Sequence, residues 1–205
     1  MSLKLSYTLI SPIYDALIAR ATQKMRQKSW SQMGEMAGLS VLIPGIGTGL
    51  DIPYLPKAAH YTGVDLTPAM LHRARKKANQ QNLPVDLKEG DILALSLPDQ
   101  SFDRVVMHLI LAVVPSPQLA LQEAARVLNP GGRIMILDKF IQPGENAWVR
   151  RIANSLLRHI ATRTDVIFEE VLAGVPALQV VNDEPLMAGG WFRRIELQKQ
   201  ATRIG

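Results

Sequence analysis

The stretch Val41–Tyr54, VLIPGIGTGLDIPY, decides the fold. It begins with an apolar run, Val41–Pro44, of the length expected for a short buried strand. Glycines then stand at alternate positions, Gly45, Gly47 and Gly49. Glycine gives up backbone order, so its repeated use marks a place where φ is positive or where something lies against bare backbone. The carboxyl end of a strand is also where open α/β sheets bind ligands. One reading is therefore a nucleotide or nucleoside cradle, with Thr48 turning its hydroxyl to a neighbouring amide. The plainer reading is a tight strand-to-helix turn, and the glycines alone do not choose.

Working outward, the pattern alternates. His60–Asp65 (HYTGVD) reads as a second strand. Thr67–Gln81 reads as a helix, with Thr67 as N-cap and Pro68 at the first helical position, where its missing N–H costs nothing. Met70, Leu71, Ala74 and Ala78 form its apolar stripe, and Arg73, Arg75, Lys76 and Lys77 its wet face. Val85–Lys88 is a third strand, and Phe102–Val114 begins as a fourth. Helix Pro117–Leu128, a turn at Asn129-Pro130-Gly131-Gly132 and strand Arg133–Phe140 follow. Near-continuous apolar strands alternating with helices predict a parallel α/β sheet covered on both faces. There is no internal repeat and no low-complexity tract.

The second strand sharpens the ligand. It ends at Asp65, roughly twenty residues after Gly45, where dinucleotide-binding folds place the acid that holds a ribose. The dinucleotide fingerprint GxGxxG would need its last glycine at Leu50, and the third glycine comes one residue early. A phosphate loop ending GK[ST] is missing too. These spacings point to an adenosine ligand without a diphosphate.

Composition sets the bounds. The 205 residues suit one domain with a sizeable core. No uncharged apolar stretch reaches the roughly 18 residues of a membrane span. Asp15 and Arg20 interrupt the short apolar pieces at the N-terminus, so no signal peptide is expected. The chain has no cysteine, which excludes disulfides, thiolate metal sites and cysteine nucleophiles. A cytoplasmic location fits. The net charge of +5 favours an anionic partner. No Asn/Asp-Pro-Pro-Tyr-type base site and no added recognition domain is present, so nucleic acid is not expected.

Four segments taken in order carry a family resemblance: PGIGTG (Pro44–Gly49), GVDLTPAML (Gly63–Leu71), EGDILALSLPDQSFDRVV (Glu89–Val106) and RVLNPGGRIMILD (Arg126–Asp138). Together they resemble the class I S-adenosylmethionine-dependent methyltransferases over about Leu39–Phe140. The resemblance implies a Rossmann-like, doubly wound, mostly parallel seven-stranded sheet, a C-terminal antiparallel hairpin and an N-terminal helical lid. It implies S-adenosyl-L-methionine as cofactor. Gly45, Ile46, Gly47, Thr48 and Gly49 would lie under its methionine and ribose parts. Asp65 would hold the ribose, Leu66 and Met70 would pack near the adenine, and Asp91 with Ile92 would meet the adenine amino group and ring face. The family's usual acid is missing before the first glycine, where Pro44 stands.

The catalytic and substrate candidates come from position. His108 interrupts the apolar run VVMHLILAVV near the expected end of the fourth strand. It is a candidate both for cofactor contact and for orienting substrate or accepting a proton, the alternative being a hydrogen-bonded core histidine. Asp138, closing the fifth strand, is a weaker catalytic candidate, and Lys139 is expected at the surface. Ser11-Pro12-Ile13-Tyr14-Asp15 resembles the P-x-Y-D segment of many small-molecule members, where an N-terminal helix folds over the cofactor. Tyr14 and then Tyr7 are the lid candidates, against a helix start with an aromatic staple.

Two basic amphipathic helices bear on the acceptor. Gly144–Arg163 carries Trp148, Val149, Ile152, Ala153, Leu156, Leu157 and Ile160 in two adjacent rows, decorated by Arg150, Arg151, Arg158, His159 and Arg163. The first long helix, about Ile13–Met33, sets Leu17, Ile18, Ala21 and Met25 on one side, with Arg20, Lys24, Arg26 and Lys28 nearby. Such helices either lie on an anionic membrane, with Arg151 and Arg158 as contacts, or pack inward with their arginines in water. The whole plan is similar to the small bacterial phospholipid N-methyltransferases. It divides as lid 1–38, cofactor core 39–140, helical insert 141–174 and hairpin 175–205, the hairpin strands being Val175–Glu184 and Trp191–Lys199. Trp191, Phe192, Arg193 and Arg194 are either the wet end of the last strand or a headgroup contact. The leading expectation is methyl transfer to an amine of a phospholipid or amphiphile such as phosphatidylethanolamine, at the inner membrane face. The alternatives are a soluble small-molecule hydroxyl or amine, and a silent S-adenosylmethionine-binding protein.

Overall fold

The computed structural model describes residues 11–140, 166–187 and 192–201, with side chains essentially from Arg20 onward. The first helix, α1, spans Ser11–Ser31. Strand β1 (Ser40–Pro44), a short 3-10 turn (Ile52–Tyr54), β2 (His60–Asp65), α2 (Pro68–Gln80) and β3 (Val85–Glu89) follow. Then come β4 (Phe102–His108), α3 (Pro117–Val127), β5 (Leu128–Lys139), α4 (Phe168–Ala173), β6 (Leu178–Met187) and β7 (Phe192–Lys199). The sheet has seven strands in the order β3-β2-β1-β4-β5-β7-β6. The expected α/β fold, parallel in β1–β5 pairings described below and antiparallel at its C-terminal strands, is observed. The chain forms two compact units, one up to Ile92 and one from Leu93.

In the first unit β1 pairs in parallel with β2, and β2 with β3. Val41, Leu42 and Ile43 are buried in succession, so β1 is covered on both faces. Gly63 in β2 has a packing reason: a Cβ there would meet Ile46 Cδ1 at 2.6 Å and Leu87 Cδ2 at 2.9 Å. Helix α2 buries Leu71, Ala74 and Ala78, as its periodicity predicts. Thr67 sits at its N-cap position with extended backbone but makes no side-chain cap bond. In α1, Met25 is buried and Arg20, Lys24 and Lys28 are exposed, but Arg26 is not on the wet face. It is buried together with Trp30.

In the second unit β4 runs parallel to β5, while β7 is antiparallel to both β5 and β6. Val105, Val106 and Met107 of β4 and Ile134, Ile136 and Leu137 of β5 fill the core. β4 stops at His108, where the sequence put its end, and Leu109 follows at φ 57°. Two boundaries differ from the sequence reading. The segment Asn129–Gly132 is absorbed into β5 as an irregularity: Phe102 pairs with Leu128 and Arg104 with Arg133. Its Gly131 has φ 76°. The hairpin strands are Leu178–Met187 and Phe192–Lys199, shifted from those expected. Strand β6 ends the sheet; Val180 and Val181 are exposed on it, and its register slips at Val180/Asn182 and at Pro185/Met187. The 144–163 segment, Arg151 and Arg158 included, lies outside the described residues.

Arg193 and Arg194 are not a wet strand end. Arg193 donates to Asp183 through two nitrogens and to Glu169 at 2.8 Å, and its guanidinium lies 5.4 Å from the Phe168 ring centre and 5.9 Å from that of Phe140. Arg194 is buried and faces Glu184 at 3.4 Å. Trp191 lies outside the described residues.

Candidate active site

The cradle is built at the carboxyl ends of β1, β2 and β3. Strand register fixes it: Pro44 lies beside Val64, and Asp65 beside Glu89. The Val64 carbonyl accepts from the N–H groups of both Gly45 and Ile46, at 2.8 and 3.0 Å, which swings the chain out of β1 into the loop. Gly45, Gly47 and Gly49 have φ of 70°, 57° and 74°, a region that glycine enters without strain. Their surroundings differ. A Cβ on Gly49 would strike Ile52 Cδ1 at 2.5 Å and the α2 backbone at Ala74 Cα at 3.1 Å, so Gly49 is a packing glycine. A Cβ on Gly47 would meet nothing nearer than the Gly45 carbonyl at 4.0 Å, so the loop presents bare backbone to open space there. Thr48 does not bond a neighbouring amide as expected; its hydroxyl accepts from Lys77 Nζ of α2 at 3.3 Å.

Asp65 ties the loop to the second strand. Its carboxylate accepts the Gly47 N–H and the Thr67 N–H, each at 2.9 Å. Burial pushes the carboxyl above its ordinary pKa, and those N–H groups and the Thr67 hydroxyl pull it back. The Thr67 side chain, predicted as a helix cap, serves Asp65 instead. A carboxylate fixed by backbone in this way keeps lone pairs for ligand hydroxyls. Leu66, next in the chain, is 50 % exposed, an apolar side chain left half open to solvent. Met70 is partly exposed one turn into α2. The Asp65 carbonyl accepts from Gly90 N–H at 3.1 Å, which brings Gly90-Asp91 beside Asp65; Asp91 is exposed and Ile92 buried. A bare glycine backbone, an acid with spare acceptors and a half-exposed leucine fit an adenosine-bearing ligand such as S-adenosyl-L-methionine. Gly45–Gly49, Asp65, Leu66, Met70, Asp91 and Ile92, all named from sequence, are brought together in one unit.

The second unit carries the other candidates. His108 is the last residue of β4 and is buried; the chain turns immediately after it, with Leu109 N–H donating to the Leu137 carbonyl at 2.7 Å. Asp138 does not stand at a reactive surface. It is 1 % exposed, and its carboxylate accepts from Ala112 N–H at 3.1 Å and Lys139 N–H at 2.8 Å. Burial raises its pKa from 3.8 to about 6. Its position makes it a fastening for the 109–114 segment that follows His108. Lys139, expected at the surface, is half-buried, and burial lowers its pKa. Tyr14 lies on the backbone of α1 with its side chain outside the described residues, and Tyr7 lies outside them altogether.

Sequence reading missed one group. Asp51, two residues after Gly49, is buried and accepts from the Arg26 guanidinium and from Trp30 Nε1 at 2.9 Å. Arg26 also donates from Nε to the Thr22 hydroxyl at 3.2 Å. The available signal was an arginine and a tryptophan one helical turn apart, opposite a lone acid in an apolar stretch.

Known proteins share this plan. The family described as "Methyltransferase domain" matches residues 42–136. A phosphatidylethanolamine N-methyltransferase of Cereibacter sphaeroides is 32 % identical over 92 % of this chain and 93 % of its own length. A demethylmenaquinone methyltransferase of Tropheryma whipplei is 34 % identical over 75 % of this chain; that match covers 63 % of the relative. Among solved structures, an S-adenosylmethionine-dependent methyltransferase of Thermotoga maritima, described as a possible histamine N-methyltransferase, superposes with a TM-score of 0.70. It covers 97 % of this chain and 100 % of its own at 22 % identity, which speaks for the fold alone. With the glycine cradle, the fixed acid and a relative matched over nine-tenths of both chains, the chain belongs to the class I S-adenosylmethionine-dependent methyltransferases.

Proposed function

We propose that this methyltransferase acts on the amine of a phospholipid or similar amphiphile, with phosphatidylethanolamine as the type substrate. The observation that carries the reading is the extent of the match to a phosphatidylethanolamine N-methyltransferase. It covers nine-tenths of both chains and so reaches beyond the cofactor core. The net charge of +5 supports an anionic surface as partner. Among the described residues no helix is long and apolar enough to cross a membrane, so the chain would meet lipid from outside the bilayer.

The residue roles go with that reading. Gly45–Gly49 would give the cofactor backbone to lie on, and Asp65 would accept from its ribose hydroxyls. Leu66 and Met70 would cover the adenine, with Asp91 and Ile92 at its edge. When bound, S-adenosylmethionine supplies an electrophilic methyl group on sulfur. The protein's task is alignment and exclusion of water, which can supply roughly 7–11 kcal/mol of barrier reduction. A protonated amine must first lose its proton. His108, at the end of β4, is the group we assign to receive it or to orient the amine. Tyr14 and Tyr7 are assigned to the lid and Arg151 and Arg158 to the lipid contact on their sequence positions alone, while Asp138 holds the segment after His108 rather than touching substrate.

The test is conversion of S-adenosylmethionine to S-adenosylhomocysteine with and without phosphatidylethanolamine vesicles. Product only with vesicles supports the reading. The menaquinone-pathway names among the relatives favour a second acceptor class, and product only with a soluble or quinone-like hydroxyl would replace the first reading with that one.

A further inference from the structure

We propose that Arg26, Asp51 and Trp30 form a positioning device that couples the docking of helix α1 to the cofactor loop. The inference rests on the family's cofactor and not on the acceptor. Three alternate glycines at positive φ leave the loop little stiffness of its own, so neighbours impose its shape. On its amino side Val64 holds Gly45 and Ile46, and at its crest Asp65 holds Gly47. On its carboxyl side the chain turns sharply: Ile52 N–H donates to the Gly49 carbonyl at 3.2 Å and Tyr54 N–H to that of Asp51 at 2.9 Å. Asp51 is the side chain of that turn, and α1 supplies it with two donors, Arg26 and Trp30.

The chemistry is directional. Asp51 is 3 % and Arg26 6 % exposed, and a buried charge left without its partner is strongly unfavourable. Asp51 and Arg26 hold each other in place, and α1 cannot slide or lift without uncovering both. A helix that needed only adhesion would do as well with apolar contacts, since replacing a buried ion pair by hydrophobic residues is often neutral or better. Instead a bidentate set of donors meets one carboxylate, and the Trp30 ring is set edge-on to Tyr61 with ring centres 6.3 Å apart. Because coupling between two equilibria is reciprocal, whatever orders the glycine loop favours docked α1, and docked α1 favours cofactor by the same factor.

The test reads cofactor binding and helix exchange, with no acceptor present. S-adenosylhomocysteine affinity is measured by calorimetry, and hydrogen exchange of the amides from Thr22 to Ser31 is followed with and without it. In the wild type the ligand should slow exchange across this stretch. Asp51→Asn should weaken binding by about tenfold or more and abolish the ligand-induced protection, with circular dichroism confirming the fold. Trp30→Phe, which keeps an aromatic ring but removes the Nε1 donor, should show a smaller loss in both readouts and remains informative if Asp51→Asn does not fold. The double variant Arg26→Met with Asp51→Leu should keep its thermal midpoint while losing the coupling. Affinity within twofold of wild type in Asp51→Asn and in the double variant overturns the proposal. So does exchange in wild-type α1 that ignores the ligand. Failure of the wild type to bind at all would overturn it together with the cofactor assignment.

Discussion

Asp65 meets two demands with one carboxylate. It pins Gly47 and Thr67 by their N–H groups and keeps acceptors for a ligand. Asp65→Ala should remove charge-assisted hydrogen bonds of about 1.5–3 kcal/mol, weakening S-adenosylhomocysteine binding roughly ten- to a hundredfold by calorimetry. Unchanged affinity would put the ribose elsewhere. Asp138 makes a pH prediction. Its folded-state pKa is lifted from 3.8 to about 6, so between those values the folded chain keeps a proton that the unfolded chain releases. Its contribution to stability is therefore greatest at low pH, falls as pH rises through that window and is level above it. Urea unfolding of wild type against Asp138→Asn should show the difference moving against wild type from about pH 4 to 6, by at most about 1.4 kcal/mol per pH unit. A constant difference would mean that Asp138 is solvated. Single residues were legible where their type demanded a role, as with Gly47 and Asp65. Arg26 was not, because a charged residue on an amphipathic helix defaults to the wet face until its partner on another element is known.

At the scale of elements, β2 and the glycine loop are packed as one piece through Gly63. Gly63→Ala would drive a methyl into Ile46 and Leu87, and overpacking of this kind costs about 1–3 kcal/mol. A matching drop in thermal midpoint with weaker cofactor binding is expected; wild-type values for both would show slack under the loop. Arg193 joins β7, β6 and α4 by a planar fork over two phenyl rings, a geometry that lysine cannot reproduce. Arg193→Lys should destabilise by about 1–2 kcal/mol despite keeping the charge, measured by denaturant unfolding. Periodicity found α2 and the strands β1–β5, because 3.6- and 2-residue repeats are local. It put the end of β4 near His108 but gave no sign that Leu109 adopts positive φ. It also split Asn129–Gly132 from β5, where tertiary pairing carries the strand through a glycine-rich bulge.

For the whole molecule, the family and cofactor were legible because four motifs keep their order over some hundred residues, while the acceptor was not. Methyl transfer requires alignment more than a fixed catalytic set, so the cofactor half is written in motifs and the acceptor half in surface. The charge makes a prediction at this scale. If the chain works at an anionic lipid surface, vesicle association measured by sedimentation should weaken steeply as salt rises from about 0.05 to 0.5 M, as the Debye length shrinks below 10 Å. Insensitivity to salt would point to a neutral acceptor.

Strand β6 ends the sheet with Val180 and Val181 exposed, so among the described residues its outer row of peptide groups has no strand to pair with. Such edges seed fibrillar and amorphous aggregates unless something spoils them. Pro185 removes a donor, two register slips bend the strand, and Asp183 and Glu184 bring charge to its middle. Shelf life at high concentration, which has nothing to do with methyl transfer, should therefore shorten when those residues on the last hairpin are replaced by apolar ones.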